Sequence, residues 1–420
     1  MKRTIGFVLM AWALSASADQ LTLEEALANV SAPHPDRRVA ESELALARAD
    51  REQAGSRQDF SLFLDGGLRS GHRPDGDWKP DNIGRIVARK PLFDFGRSSQ
   101  AIAAADQEIE ARQATLFNVE NLRRVDIMAR YFDVLLADMQ YAADNELMAV
   151  TYASWDNAKK RFEVGQIGQP ELLRLEATYL DVRERRYASQ QRLSSTRQKL
   201  AHAMNRPGKL PAELTEPALK DNARPVPDYE SLLAWAMLKN PHVLALQAQV
   251  EAADARAAAV RAERNPTLNA EVIGAGYSRK STTHDDLSAG LVFNIPLYQG
   301  GRVDARVARE LALKERIAAE LENLKRDLSE SLFTTLQEIQ WLRDSGRAAA
   351  DKQIEFRDWA LERARAEYEL EMKTNLGVSM AETQLAQLRR KQVEYRLALA
   401  LARLDAFSGG SLPPVEGARK

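Results

Sequence analysis

Residues 91–97 read Pro-Leu-Phe-Asp-Phe-Gly-Arg, and residues 296–302 read Pro-Leu-Tyr-Gln-Gly-Gly-Arg. The two stretches share Pro, Leu, an aromatic ring, Gly and Arg in register, 205 residues apart. Each is a boundary between two kinds of pattern. Proline offers no N–H to a ladder and is tolerated where a strand ends; glycine reaches backbone angles closed to other residues. Pro91, Gly96 and Arg97, and again Pro296, Gly300, Gly301 and Arg302, are therefore expected at a sharp passage from strand to helix.

Downstream of the first boundary, residues 97–164 hold neither Gly nor Pro. Such a run predicts one helix, which at 1.5 Å per residue spans roughly 100 Å, too long for a globule to enclose. Leu122, Val125, Ala129, Phe132, Leu136, Met139 and Ala143 alternate spacings of 3 and 4, the narrow seam of a coiled coil. The partner is expected after a turn at Gly165 to Pro170, in a return helix ending near Arg206, and a shorter helix is expected over residues 36–58. The second boundary opens a helix from Arg302 to about Glu369, with a bend expected at Gly346. A turn at Leu370 to Leu376, a return helix to about Ser408 and a shorter helix from His242 to Arg264 complete that copy.

Upstream of each boundary the period changes to two. Phe60, Leu62 and Leu64 alternate with Ser61, and after a polar loop from Ser70 to Asn82 comes Ile83 to Leu92. In the second copy Leu268, Ala270 and Val272 alternate with Thr267, Asn269 and Glu271, while Leu287, Ala289, Leu291, Phe293 and Ile295 alternate with Ser288, Gly290 and Asn294. Strands of about ten residues with one apolar and one polar face suit a membrane barrel. Ile83 to Lys90 carries Arg85 and Arg89 and fits a soluble hairpin packed on helices as well. Four strands cannot close a barrel, since the smallest has eight and lipid tolerates no open edge; strands in lipid would require oligomerisation.

A shift of 206 pairs Glu24 with Glu230, Leu27 with Leu233, Pro35 with Pro241, Phe162 with Tyr368 and Glu176 with Glu382. So long a period signals a duplicated domain rather than a solenoid. The expected organisation is a leader over 1–18, a first copy over 19–206 with its hairpin at 60–92, a Pro-rich surface linker over 207–227, a second copy over 228–408 with its hairpin at 267–297, and a flexible tail over 409–420. The leader is expected from Lys2 and Arg3, the apolar stretch Ile5 to Leu14, and Ala16-Ser17-Ala18, the order of a secretory signal.

These residues resemble the TolC-like outer-membrane efflux channel family over essentially the whole mature chain. The carriers are Leu21-Thr22-Leu23-Glu24-Glu25-Ala26-Leu27, the two strand exits, and the hairpin tips Arg161-Phe162-Glu163-Val164-Gly165 and Tyr368-Glu369-Leu370-Glu371. The resemblance implies a mainly α protein with membrane β-strands. It implies a homotrimer, each protomer giving four strands to one 12-stranded outer-membrane barrel and its helices to a coiled-coil tunnel through the periplasm. It implies a passive duct that meets a periplasmic adaptor (membrane fusion protein), itself coupled to an inner-membrane pump; small-molecule efflux is favoured over type I protein secretion. The docking edge implied is Arg161, Val164, Gly165 and Gln166 with Leu370, Glu371 and Met372. Family members often carry acidic rings just after the second tip; the matching positions here are Gly377 and Met380, a departure that leaves the gate unassigned.

The inventory of reactive groups points the same way. Lys plus Arg number 59 against 60 for Asp plus Glu, which gives no basic footprint for nucleic acid. With no Cys there is no disulfide, thiolate nucleophile or acylated anchor. His34, His72, His202, His242 and His284 are scattered without metal spacing, and no phosphate-binding glycine motif occurs. No catalytic, metal or cofactor residue is expected, so energy for transport would come from a partner. Glu310, Glu315 and Glu320 beside Arg309, Lys314 and Arg316 read as solvated ion-pair faces. The competing reading is an exported soluble coiled-coil scaffold or tether, which needs no duplicated hairpin.

Overall fold

The computed structural model describes residues 20–72, 76–208, 210–211, 213–279, 285–370 and 376–413. The expected leader, the tip residues Glu371 and Met372, and the tail from residue 414 lie outside them. In chain order the elements are β1 (Gln20–Leu21), α1 (Leu23–Ala28), α2 (Pro35–Ser56), β2 (Ser61–Gly67), β3 (Ser70–His72), β4 (Trp78–Pro80) and β5 (Ile83–Phe93). Then come α3 (Arg97–Glu163), α4 (Gln169–Ala203), β6 (Glu213–Leu214), α5 (Tyr229–Lys239), α6 (Pro241–Arg261), β7 (Thr267–Tyr277) and β8 (Leu287–Asn294). The chain ends through α7 (Arg302–Trp341), a π-helical turn (Leu342–Gly346), α8 (Arg347–Glu369) and α9 (Leu376–Phe407). The bend expected at Gly346 is this π turn. The expected polar loop at 70–82 instead carries the β3–β4 ribbon.

Two compact units form, and each sequence copy contributes to both. One unit takes residues up to 34, 122–226 and 335–404; the other takes 35–121, 227–334 and 405 onward.

The first unit is built on α3, α4, α8 and α9. Its core gathers Leu21, Ala26, Ile127, Tyr131, Phe132, Leu200, Met204 and Tyr395. The Phe132 and Tyr395 rings stack at 4.4 Å, 5° from parallel. The single seam expected on α3 is two stripes, because α4 lies against one side, through Asp144–Arg185 at 2.8 Å, and α9 against another. Ile127, Tyr131 and Val134 are buried with Phe132, whereas Leu122, expected in the seam, is exposed. Thr22 and Glu25 form a reciprocal capping box on α1. Burial pushes the Tyr131 phenol up to about 12, against hydrogen bonding to Thr215; its hydroxyl lies 2.7 Å from Leu21 O and 2.6 Å from Thr215 O.

The Pro-rich joint is docked rather than loose. β1 and β6 pair in parallel, and Arg343 donates to Asn222 O at 3.0 Å and Arg224 O at 2.7 Å. Below it, Glu394 of α9 accepts from Arg347 at 2.8 Å, from Asn222 Nδ2 at 2.6 Å, and from Arg390. Burial alone would raise the Glu394 carboxyl, but the donors Arg347, Asn222 and Arg390 together bring it down to about 2.

In the second unit, Leu246, Val250 and Ala253 of α6 meet Leu313, Ile317, Leu321 and Leu324 of α7, spacings of 3 and 4 on both helices. Asp228 caps α5, and Asn240 caps α6 through His242 and Val243 N–H. Glu310 corrects the solvated-face expectation: it is buried, beside Arg309 and within 4.0 Å of Arg256, because its stretch of α7 packs onto α6. Glu320, paired to Arg316 at 3.4 Å, stays in solvent.

The depressed Glu394 carboxyl favours the folded state above its ordinary value of 4.5, and that contribution is lost as pH falls through about 2. The shift corresponds to about 3 kcal/mol. Glu394→Gln should lower the melting temperature at pH 7, and the gap from the wild type should close between pH 4.5 and 2 in scanning calorimetry.

Candidate functional site

The sheet decides the site. Its order is β2-β5-β7-β8, antiparallel throughout, so the two hairpins join through β5 and β7. Register sorts every side chain by face. One row runs Leu64, Ile86, Gly274, Leu287, and another Leu62, Ala88, Val272, Ala289. Leu64 is 80% exposed and Leu291 67% exposed, so the single chain leaves this apolar face uncovered. Lys90, opposite Ala270, is its one charge among the described strand residues, and its long stem lets the ammonium reach away from apolar surroundings.

Asp65, Arg85, Arg89 and Glu271 all fall on the opposite face. Arg89 pairs with Glu271 at 2.5 Å, and Arg85 with Asp65 at 3.6 Å. The two arginines that made a soluble hairpin plausible therefore stand apart from the apolar rows, each with an acidic partner.

Each junction joins a strand to a long helix, β5 to α3 and β8 to α7. Pro91 still pairs with Asn269, inside β5, and a register shift follows before Phe93; Pro296 lies two residues beyond the end of β8. Gly96 has φ +92°, and Gly300 and Gly301 have +61° and +72°, conformations a side chain would strain. Asp94 caps α3 by accepting from Ser98 N–H at 2.8 Å. Arg97 and Arg306 both reach Glu263.

At the first tip, Arg161 belongs to the last turn of α3, and Val164, Gly165 and Gln166 make the turn. Gly165 N–H donates to Phe162 O at 2.9 Å and Gln166 N–H to Arg161 O at 2.8 Å, the paired bonds of a Schellman ending. At the second tip Leu370 caps α8 and is exposed. Gly377 is packed, not open: a Cβ there would collide with Cγ2 of Val150 on α3. An acidic side chain at 377 has no room in this packing, whereas Met380 is partly exposed. The signal for this close approach, a glycine in the first turn of a helix facing a β-branched residue more than 200 positions earlier, is invisible without the pairing of α3 with α9.

Among the described residues no group of three or more His, Asp or Glu side chains could hold a metal ion, and no helix is long and apolar enough to cross a membrane. Residues 232–410 match the sequence model of the family described as outer membrane efflux protein. Over that stretch the chain matches the outer membrane efflux protein family, in agreement with its resemblance to the TolC-like channels. Its location is the outer membrane, with the helical part in the periplasm. It is 24% identical over 344 residues to the outer membrane efflux protein BepC of Brucella suis biovar 1 (strain 1330), covering 79% of this chain and 73% of BepC. It is likewise 24% identical over 352 residues to the proteases secretion protein PrtF of Dickeya chrysanthemi, covering 78% and 72%. Among solved structures, CusC shares the fold at a TM-score of 0.74 and 19% identity, over 93% of this chain and 92% of CusC. The family is one of passive channels.

Gly377→Ala should destabilise the protein by about 1–3 kcal/mol, the usual cost of overpacking. Adding Val150→Ala should recover at least half of that loss in thermal melts, since residues in contact couple.

Proposed function

We propose that three copies of this chain close a 12-stranded barrel, β8 of one protomer pairing with β2 of the next, above a helical tunnel. The observation that carries this reading is the sheet: its apolar rows are exposed, and β2 and β8 are its outer strands. Lipid admits no open edge, so the strands must find partners in other copies. β2 and β8 run in opposite directions, so the alternation continues around the ring.

The duct passes cargo delivered by an inner-membrane pump through a periplasmic adaptor and performs no chemistry itself. Arg161, Val164, Gly165 and Gln166 at one tip, and Leu370, Glu371 and Met372 at the other, are its docking edge. The leader over 1–18, the copies over 19–206 and 228–408 about the joint 207–227, and the tail over 409–420 are the organisation that serves it. Small-molecule efflux is the favoured cargo class, and BepC is an outer membrane efflux protein by name; the equal similarity to PrtF supports polypeptide secretion as the second reading.

Because the chain has no Cys, the closure can be tested cleanly. Leu62→Cys combined in turn with Leu287→Cys, Ala289→Cys or Leu291→Cys should give, on oxidation of outer-membrane fractions, a three-chain band in at least one pairing. Absence of any inter-chain bond in all three, or recovery of the protein in the soluble periplasmic fraction, overturns the barrel and favours the scaffold.

A further inference from the structure

The β3–β4 ribbon continues the first hairpin without a change of register. Gly67 stands opposite Ile83 in the sheet, Asp81 N–H donates to Arg69 O at 2.8 Å, and then Gly71 stands opposite Lys79 and His72 opposite Trp78. Side chains alternate strictly along a strand, so parity carries over. Leu68, Ser70, His72, Trp78 and Pro80 belong to the column of Leu62, Leu64, Ile86 and Ala88. Arg69, Asp81 and Lys79 belong to the column of Asp65, Arg85 and Arg89. Contacts agree with both assignments: the His72 and Trp78 rings meet edge to face at 5.6 Å, and Arg69 pairs with Asp81 at 2.7 Å on the other side. Leu68 is 91% and Trp78 69% exposed.

Height follows from strand geometry. A lipid-facing band about 25 Å tall, crossed by strands tilted about 40°, takes about ten residues. Phe93, Leu268 and Phe293 align in one row at the helix end of the sheet, the place of an interfacial aromatic girdle. Ten residues back along β5 from Phe93 is Ile83, opposite Gly67, which sets the far edge of the hydrocarbon. Leu68 then lies at that edge. His72 and Trp78 lie five residues further, about 13 Å above it after allowing for tilt. The headgroup layer of a phospholipid is only about 5–8 Å deep. A paired indole and imidazole on the lipid side of the ribbon stand too high for such a layer.

We infer that the outward face of the ribbon, His72 and Trp78, binds the sugar headgroup of an outer-leaflet glycolipid. The inference rests on the barrel reading above. The occupant is argued from continuity: this face prolongs the lipid-facing column past the hydrocarbon and past a phospholipid headgroup, to a height that the larger headgroup of a sugar-bearing lipid reaches. The chemistry fits, since an exposed indole offers an apolar face to the C–H side of a hexose ring and an N–H to its hydroxyls.

The test places a photo-crosslinking residue singly at Leu64, Trp78 and Lys79 of the full-length protein in cells, with assembly checked on native gels and adducts identified by sugar staining and mass spectrometry. The probe at Trp78 should capture glycolipid several-fold more than the probe at Lys79, its neighbour on the opposite face. The probe at Leu64 should capture lipid acyl chains. If Leu64 captures lipid while Trp78 captures only phospholipid or protein, or matches Lys79, the glycolipid site is wrong and the barrel stands. If Leu64 captures no lipid, the barrel reading itself fails.

Discussion

A backbone N–H or C=O in hydrocarbon must find a hydrogen-bond partner, and the outer strands of a four-stranded sheet still carry a free row of each. This constraint governs everything else in the molecule. In the barrel proposed above, it makes β2 and β8 pair with other copies of the chain and makes the alternation of residue types along each strand obligatory. On that reading it also explains why a protein with so much long helix keeps two short hairpins, whose exposed apolar rows are suited to lipid.

Strand parity then does the electrostatic sorting. Burying a lone charge in hydrocarbon is costly, and on the described strands Asp65, Arg85, Arg89 and Glu271 occupy one face while the apolar rows occupy the other. Lys90 departs from this near the helix end of β5, where its stem can carry the ammonium toward the interface. At the helical end, comparable closeness is achieved by small size: Gly377 lets α9 approach Val150 on α3, and the same contact removes the space an acidic ring at that level would need.

Much of this was legible in the sequence, for physical reasons that also mark where legibility stops. The span of α3 follows from sixty-odd residues without Gly or Pro, and the strand-to-helix passages from Gly and Pro placed twice in register. Local signals were missed where they were short. Thr22 and Glu25 spell out the capping box of α1, and Asp228 caps α5, yet neither helix was expected. The β3–β4 ribbon hides in a polar stretch, where the apolar alternation ends while the pairing does not. The single seam on α3 and the solvated Glu310 failed for one reason: a periodic helix shows that it has partners, not how many or on which sides. The first tip is seen in full, with Arg161, Val164, Gly165 and Gln166 brought to one exposed turn; of the docking residues expected at the second tip, Leu370 alone is among the described ones.

The π turn at Leu342–Gly346 bears on how the duplicated halves diverged. The copies align at a shift of 205 at the strand exits but 206 at Phe162 and Tyr368, so one residue has been added within the later long helix. A π turn is how a helix absorbs one extra residue without rotating the remainder of its length out of phase. From Arg302 to Glu369 the chain carries 68 residues against 67 in α3. The turn takes up the one-residue difference between the two long helices locally, and beyond it α8 keeps its ion pairs with α9 through Arg347–Glu394 and Arg357–Glu382.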